Sequence, residues 1–407
     1  MQLTPGFRRR ALAVALATIY NAAPPVLANP SGAQVANGQA VLQTQGSRLT
    51  VTNTPGAIIN WQSFSVGVGE TTYFQQQSAT SAVLNRVQAQ NPSLKSQIDG
   101  TLGSNGRVYL LNPNGIVFGA GSSINTQGFV ASTLYMNDDD FKSGKLRFAR
   151  QGVAGDIQVQ GRINAGSGDV YLVAPNVGVD GNAVITTQGG NVILAAGEMV
   201  EITGRNLNDI TFAVQSKDNQ VINLGNLSGG AVGVFAGTLT HSGVVQAQTL
   251  SRDGGKLVLK AQGNVMLAAG STASADGQSL GGQAHISSQS GNVVVDTGAS
   301  VSAQALAGAG PQALPRGGSV VVTAADGLVA IERNASVNAS GVLGGSVVIH
   351  GDRLLQEGAV RADGQGGVGG TVTLQADSRV VQSASAVVSA TGTLRGGTIT
   401  LDRKSVV

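Results

Sequence analysis

Apolar residues recur in the second half of the chain with a two-residue rhythm, and each burst follows a pair of glycines. The pairs begin at Gly254, Gly281, Gly317, Gly344, Gly369 and Gly396, which sets them 27, 36, 27, 25 and 27 residues apart. At the third and fifth positions from each pair stand Leu257 and Leu259, Ala284 and Ile286, Val320 and Val322, Val347 and Ile349, Val372 and Leu374, and Ile399 and Leu401. Alternation with period two predicts a strand buried on one face. Two further short segments of the same kind fill each interval, for example 328–331 and 336–339, then 353–355 and 359–361. Three strands joined by Gly, Asp and Asn corners make one coil of a β-solenoid, in which each strand pairs only with its counterparts in the coils before and after. The predicted fold is therefore all-β: a right-handed, single-stranded parallel β-helix. The interval of 36 fits one coil with an outward insertion at 305–316, which is rich in Gly, Pro and Gln.

The first half is less regular. It holds the single Trp and most of the Phe and Tyr. A solenoid exposes unpaired strand edges at its end and needs an atypical cap, so residues 29 to 250 are expected to supply an N-terminal β cap and the first coils. Residues 251 to 407 then form the Gly-rich repeats. Trp61 and Phe64 are expected in the core of the cap. Residues 134 to 150 break the rhythm and predict a hairpin leaving the rod, with Asp138, Asp139 and Asp140 in a solvated loop. No segment has a sustained helical period; the nearest, 81–90, is short.

Composition sharpens this picture. Of 407 residues 42% are hydrophobic, but only 4% are aromatic and 12% charged, and 59 are Gly. Globular domains carry about 25% charged residues and about 7% Gly. Such a chain builds its core from many small contacts, as thin repetitive packing does. The first 28 residues read as a secretory signal peptide: Arg8, Arg9 and Arg10, then an apolar run, then Val26, Leu27 and Ala28, with cleavage between Ala28 and Asn29. The apolar run is far short of the ~20 residues a membrane span needs, and none follows it. Cleavage removes three arginines and no acid, so Lys+Arg falls from 25 to 22 and equals the 22 Asp+Glu. A mature chain without net charge is not a nucleic-acid binder. The absence of Cys leaves no disulfide to lock the chain during export. About fifteen coils stacked ~4.8 Å apart would make a rod about 70 Å long.

Catalytic and metal-binding patterns are weak. His241, His285 and His350 are scattered without Cys or paired carboxylates at ligand spacing and read as exposed or corner residues. Gly364, Gly366 and Gly369 match G-x-G-x-x-G but precede a strand instead of opening a helix. Asp326, Asp352 and Asp377 follow their Gly pairs at similar distances and could line one corner of successive coils, where Asp is common turn chemistry. No enzyme, cofactor or metal is expected; a glycan-cleaving site on the flank of the rod is the weakest reading.

Five segments in the first half stand out: AIINWQSFSVG (57–67), SAVLNRV (81–87), NPSL (91–94), NPNGIVFG (112–119) and GFVASTL (128–134). Together, after a signal peptide and before Gly-rich repeats, they resemble the two-partner secretion domain, also called the haemagglutination activity domain, of filamentous haemagglutinin-like exoproteins of Gram-negative bacteria. The family pattern has two Asn-Pro motifs. The first is Asn91, Pro92, Ser93 and Leu94, with Ser93 in place of the usual Asn; the second, Asn112, Pro113, Asn114, Gly115 and Ile116, is intact. Pro fixes φ and Asn-Gly tolerates positive φ, so both read as tight corners. They either shape the cap or touch the export machinery.

The resemblance implies export by the general secretion machinery and signal peptidase, then passage through a partner outer-membrane β-barrel with periplasmic receptor domains. The product would be secreted or held at the cell surface, folding outside. It would act as an adhesin toward an unidentified host or bacterial surface ligand. The alternative is a haemolysin, a haem-acquisition protein or a contact-dependent toxin of the same route. The chain stops after an ordinary repeat without a polar capping segment, which suggests a truncated member.

Overall fold

The computed structural model describes residues 29–88, 94–203, 207, 210–213, 218–306 and 314–403. Its strands stack in three columns. In the repeats, Leu257, Ala284, Val320, Val347, Val372 and Ile399 are successive parallel partners, and Leu259, Ile286, Val322, Ile349, Leu374 and Leu401 form a second ladder beside them. These side chains point inward and are buried, save Ile399 and Leu401 in the last described coil, which are 49% and 52% exposed. The secondary segments of each interval form the other two columns: Leu328 pairs with Arg353 on one side of the rod, and Ser336 with Ala359 on another. A parallel β-helix is thus the architecture, as the rhythm predicts.

The glycine pairs answer to close backbone approach. A Cβ on Gly282 would strike the carbonyl oxygen of Gly255, one on Gly345 that of Gly318, and one on Gly370 that of Gly345. None of these glycines has positive φ. The coils therefore lie closest where the chain enters the first column, and only a residue without a side chain fits there.

The first column runs from the strand Ala57–Trp61 to Thr398–Arg403 in thirteen strands. At ~4.8 Å per step this makes a rod about 58 Å long. It has fewer coils than composition suggests because two stretches leave the rod. Below the first coil, Ala40–Gln45 pairs antiparallel with Arg48–Asn53, and Gln34–Asn37 pairs antiparallel with Ala57–Trp61. These antiparallel strands cover the open end, which is the expected cap. Trp61 and Phe64 lie in its core with ring centroids 5.6 Å apart, and Trp61 Nε1 donates to Asn85 Oδ1 at 2.9 Å.

The excursion near residue 140 is more than a hairpin. The acidic run forms the first turn of a short helix, Asp138–Lys142, capped by the Asn137 side chain, which accepts from Asp140 N. Asp138 is held by Arg86 at 2.8 Å, so the run is not the free loop expected from its charge. The following strand, Leu146–Ala149, pairs antiparallel with Met199–Ile202, which pairs with Ile210–Ala213. This small sheet lies over the outer face of the first column. Phe141, Phe148, Val200 and Ile202 pack there against Val130, Tyr171, Val173 and Ile193 in a second core outside the rod. The strands Gly128–Ser132, Val170–Ala174 and Asn191–Ala196 are consequently buried on both faces.

One histidine departs from expectation. His241 is buried inside the rod: Nδ1 accepts from Asn223 Nδ2 at 3.1 Å, and Nε2 donates to the Thr272 carbonyl at 3.0 Å. Burial lowers its pKa and keeps the ring neutral. A polar pair inside the rod is tolerated because both ring nitrogens find partners.

Candidate functional site

The second Asn-Pro motif is the corner between the first-column strand Arg107–Leu111 and the second-column strand Ile116–Phe118. Gly115 N donates to the Asn112 carbonyl at 3.2 Å, closing a β-turn, and the Asn112 side chain accepts from Asn114 N at 3.0 Å, as an Asx turn requires. Gly115 has φ +118, open to Gly alone. Asn112 itself is fully buried, and its Nδ2 donates to Leu94 O at 3.1 Å and to Ser96 Oγ at 3.0 Å. Asn114 Nδ2 reaches the same Leu94 oxygen at 3.3 Å.

The two Asn-Pro motifs therefore meet through the carbonyl of Leu94. Leu94 is 43% exposed; Asn91, Pro92 and Ser93 lie outside the described residues. On the other side, Asn112 N donates to Ser132 O, Ile116 N to Asp156 O, and Gly155 N to Pro113 O. Ile116 is buried between Ser96 and Ile157 in register. One five-residue corner thus fastens the coil before it and the coil after it. Of the cleavage pair, Ala28 lies outside the described residues, whereas Asn29 donates to Ser47 O and accepts from Thr72 Oγ1.

Beside this corner a cleft of about 310 Å³ opens. Arg86 and Val87, Pro113, and Thr133 and Leu134 all line it, so three of the five motif segments contribute to one wall although 20 or more residues separate them. Arg86 Nη2 donates to Met136 O at 2.9 Å and to Asp138 Oδ1 at 2.8 Å, and its guanidinium lies 5.4 Å from the centre of the Tyr135 ring. Arg86 Nε and Thr133 Oγ1 are buried and find no hydrogen-bond partner among the described residues. The role of Arg86 and Tyr135 was hidden in the sequence, because it depends on the helix folding back over strand Ala82–Val87.

The other candidates are structural. Asp352 Oδ1 accepts from Ser378 Oγ at 2.6 Å, and Asp377 lies 3.5 Å from His350 Nε2, so these carboxylates bind the next coil or a neighbouring strand. Among the described residues no group of three His, Cys, Asp or Glu could hold a metal ion. No helix among them is long and apolar enough to cross a membrane.

Comparison with known proteins agrees with this geometry. The crystal structure of the HMW1 secretion domain from Haemophilus influenzae matches with a TM-score of 0.81 and 29% identity, over 92% of this chain and all of that one. A heme/hemopexin-binding protein of H. influenzae strain Rd is 31% identical over 199 residues, and a second H. influenzae protein of the same name is 34% identical over 110. These matches take in 47% and 27% of this chain; the chain spans only 21% and 12% of the length of these curated relatives. The model of the TPS secretion domain matches residues 27–274, well over half of the sequence. The chain belongs to the TPS secretion domain family.

Proposed function

We propose that residues 29 to 250 are the export-directing module of a secreted adhesin, and that residues 251 to 407 begin the surface it presents. The observation that carries this reading is the junction of the two Asn-Pro motifs at the Leu94 carbonyl, with Asn112 buried at its centre. A corner of this kind gives export a local structure that forms early, since it needs contacts from only about sixty residues of chain, 94 to 156. The family match ends at residue 274, close to the proposed boundary. The well-bonded position of Asn29 supports cleavage just before it. Outside the cell each coil buries apolar columns and pairs a strand's worth of backbone groups, which biases movement outward without ATP.

The similarity to the two heme/hemopexin-binding proteins favours a second reading, in which the exported protein takes part in haem acquisition. The test of export is expression with and without the partner transporter. The secreted chain is expected only when the transporter is present, and secretion without it would overturn the proposal. Binding of the secreted chain to haem-loaded hemopexin, measured beside adhesion to cells, decides between the two readings.

A further inference from the structure

We infer that the cleft between the outer face of the first column and the small antiparallel sheet binds a free α-amino acid as its zwitterion, with an aliphatic side chain. It holds one cation and one anion that do not meet. Arg107 pairs with Gly128 in the next coil, and Asp169, one residue before Val170, stands level with Gly128 in the coil after that. All three face outward, since their neighbours Val108, Phe129 and Val170 point into the core. Two coil steps, about 9.6 Å, thus separate the backbones that carry the two charges. Gly128 leaves the space between them open; a Cβ there would lie 3.1 Å from Arg107 Cγ.

Neither charge is spent. The guanidinium of Arg107 makes no ion pair or hydrogen bond among the described residues, although it is always charged and carries five donors. Asp169 accepts one bond at each oxygen, from Tyr171 Oη at 2.7 Å and from Asn191 N at 2.8 Å, which fixes the carboxylate and leaves a lone pair free on each. Tyr109 senses both groups: burial raises the pKa of its hydroxyl, Arg107 lowers it and Asp169 raises it. Arg107, Tyr109 and Asp169 line the cleft and are each only partly buried, so a ligand can reach them.

Charge and volume select the ligand. A lone anion would match Arg107 and be repelled by Asp169, and a lone cation the reverse. An α-amino acid brings a carboxylate for Arg107 and the Tyr109 hydroxyl, and an ammonium for Asp169, in one molecule. Val130, Leu146 and Ile202 supply an apolar wall for its side chain. The cleft of about 240 Å³ equals roughly eight water volumes, room for an amino acid the size of leucine. Gly144 and Thr203, which also line it, are exposed and leave the way in open.

The site shares no residue with the Asn-Pro corner, and its test needs no transporter. The test is saturation-transfer NMR on the mature full chain with L-leucine as the probe. Transfer is expected at millimolar leucine, with 4-methylpentanoate, which lacks the ammonium, and 3-methylbutylamine, which lacks the carboxylate, each at least about fivefold weaker. Arg107→Met should weaken binding at least about tenfold while the thermal midpoint stays within a degree or two, because the guanidinium holds nothing in the fold. Tyr109→Phe, which keeps the ring against Phe141, should weaken it about threefold. No transfer at ~10 mM leucine would mean that the two charges hold only water, and it overturns the inference. Equal transfer from either single-charge analogue, or unchanged affinity in Arg107→Met, overturns it as well.

Discussion

The coils under the small antiparallel sheet and the coils beyond it share one inner plan and differ on the outside. In the covered part the first-column strands read VYLVA and NVILAA, buried at every position; in the bare part they read SVVVTA and TVTLQA, with burial alternating. The inner ladder alone builds the rod. The outer residues record whether anything lies on top, since a sheet covered on both faces loses the alternation that one exposed face imposes. The same strand position can thus be structural twice over or a free surface, depending on the neighbour.

Substitutions can break that comparison. The largest effect is expected at Phe148, which is 1% exposed in the outer core: Phe148→Ala should cost about 3–5 kcal/mol. The partly buried outward position Val348, changed to Ala, should cost under about 0.5 kcal/mol. Thermal or urea unfolding of the two variants checks the contrast; equal losses would mean that the outer core does not stabilise the coils it covers. Next comes Gly345→Ala. Its new Cβ collides with the Gly318 carbonyl, and prising two coils apart should cost about 1–3 kcal/mol, seen as faster hydrogen exchange in strands Ser346–Gln356 and Ser319–Ile331.

The smallest effect is pH dependence inside the rod. The pKa of His241 is lowered in the folded state, chiefly by burial, so the unfolded chain takes up a proton first as pH falls below about 6.5. Stability is full above that value and declines as the pH drops below it. His285 contributes with the same sign, its pKa lowered by burial and by Lys260 and Lys256. The melting temperature should fall between pH 7 and pH 5, and His241→Gln should flatten part of that slope.

The rod was legible because its inner ladder repeats through Gly pairs that nothing else can replace. The cap was legible through Trp61, Phe64 and the motif segments around them. The second excursion was not, because Met199–Ile202 and Ile210–Ala213 resemble ordinary coil strands, and only the unbroken apolar runs at Val170–Ala174 and Asn191–Ala196 hinted at a cover. His241 read as a corner residue because its partner, Asn223, is adjacent only after stacking. The burial of Asn112 was equally hidden: an Asn in a turn is ordinarily exposed, and here the preceding coil supplies two acceptors.

That buried side chain offers a direct test of the proposal that the Asn-Pro corner directs export. Secretion of the Asn112→Ala/Asn114→Ala protein should be measured in cells carrying the partner transporter, beside the stability of the refolded chain. The corner is expected to loosen by about 2–3 kcal/mol, from hydrogen bonds worth about 1 kcal/mol each, and secretion to fall at least tenfold. Undiminished secretion of the double variant would contradict the proposal.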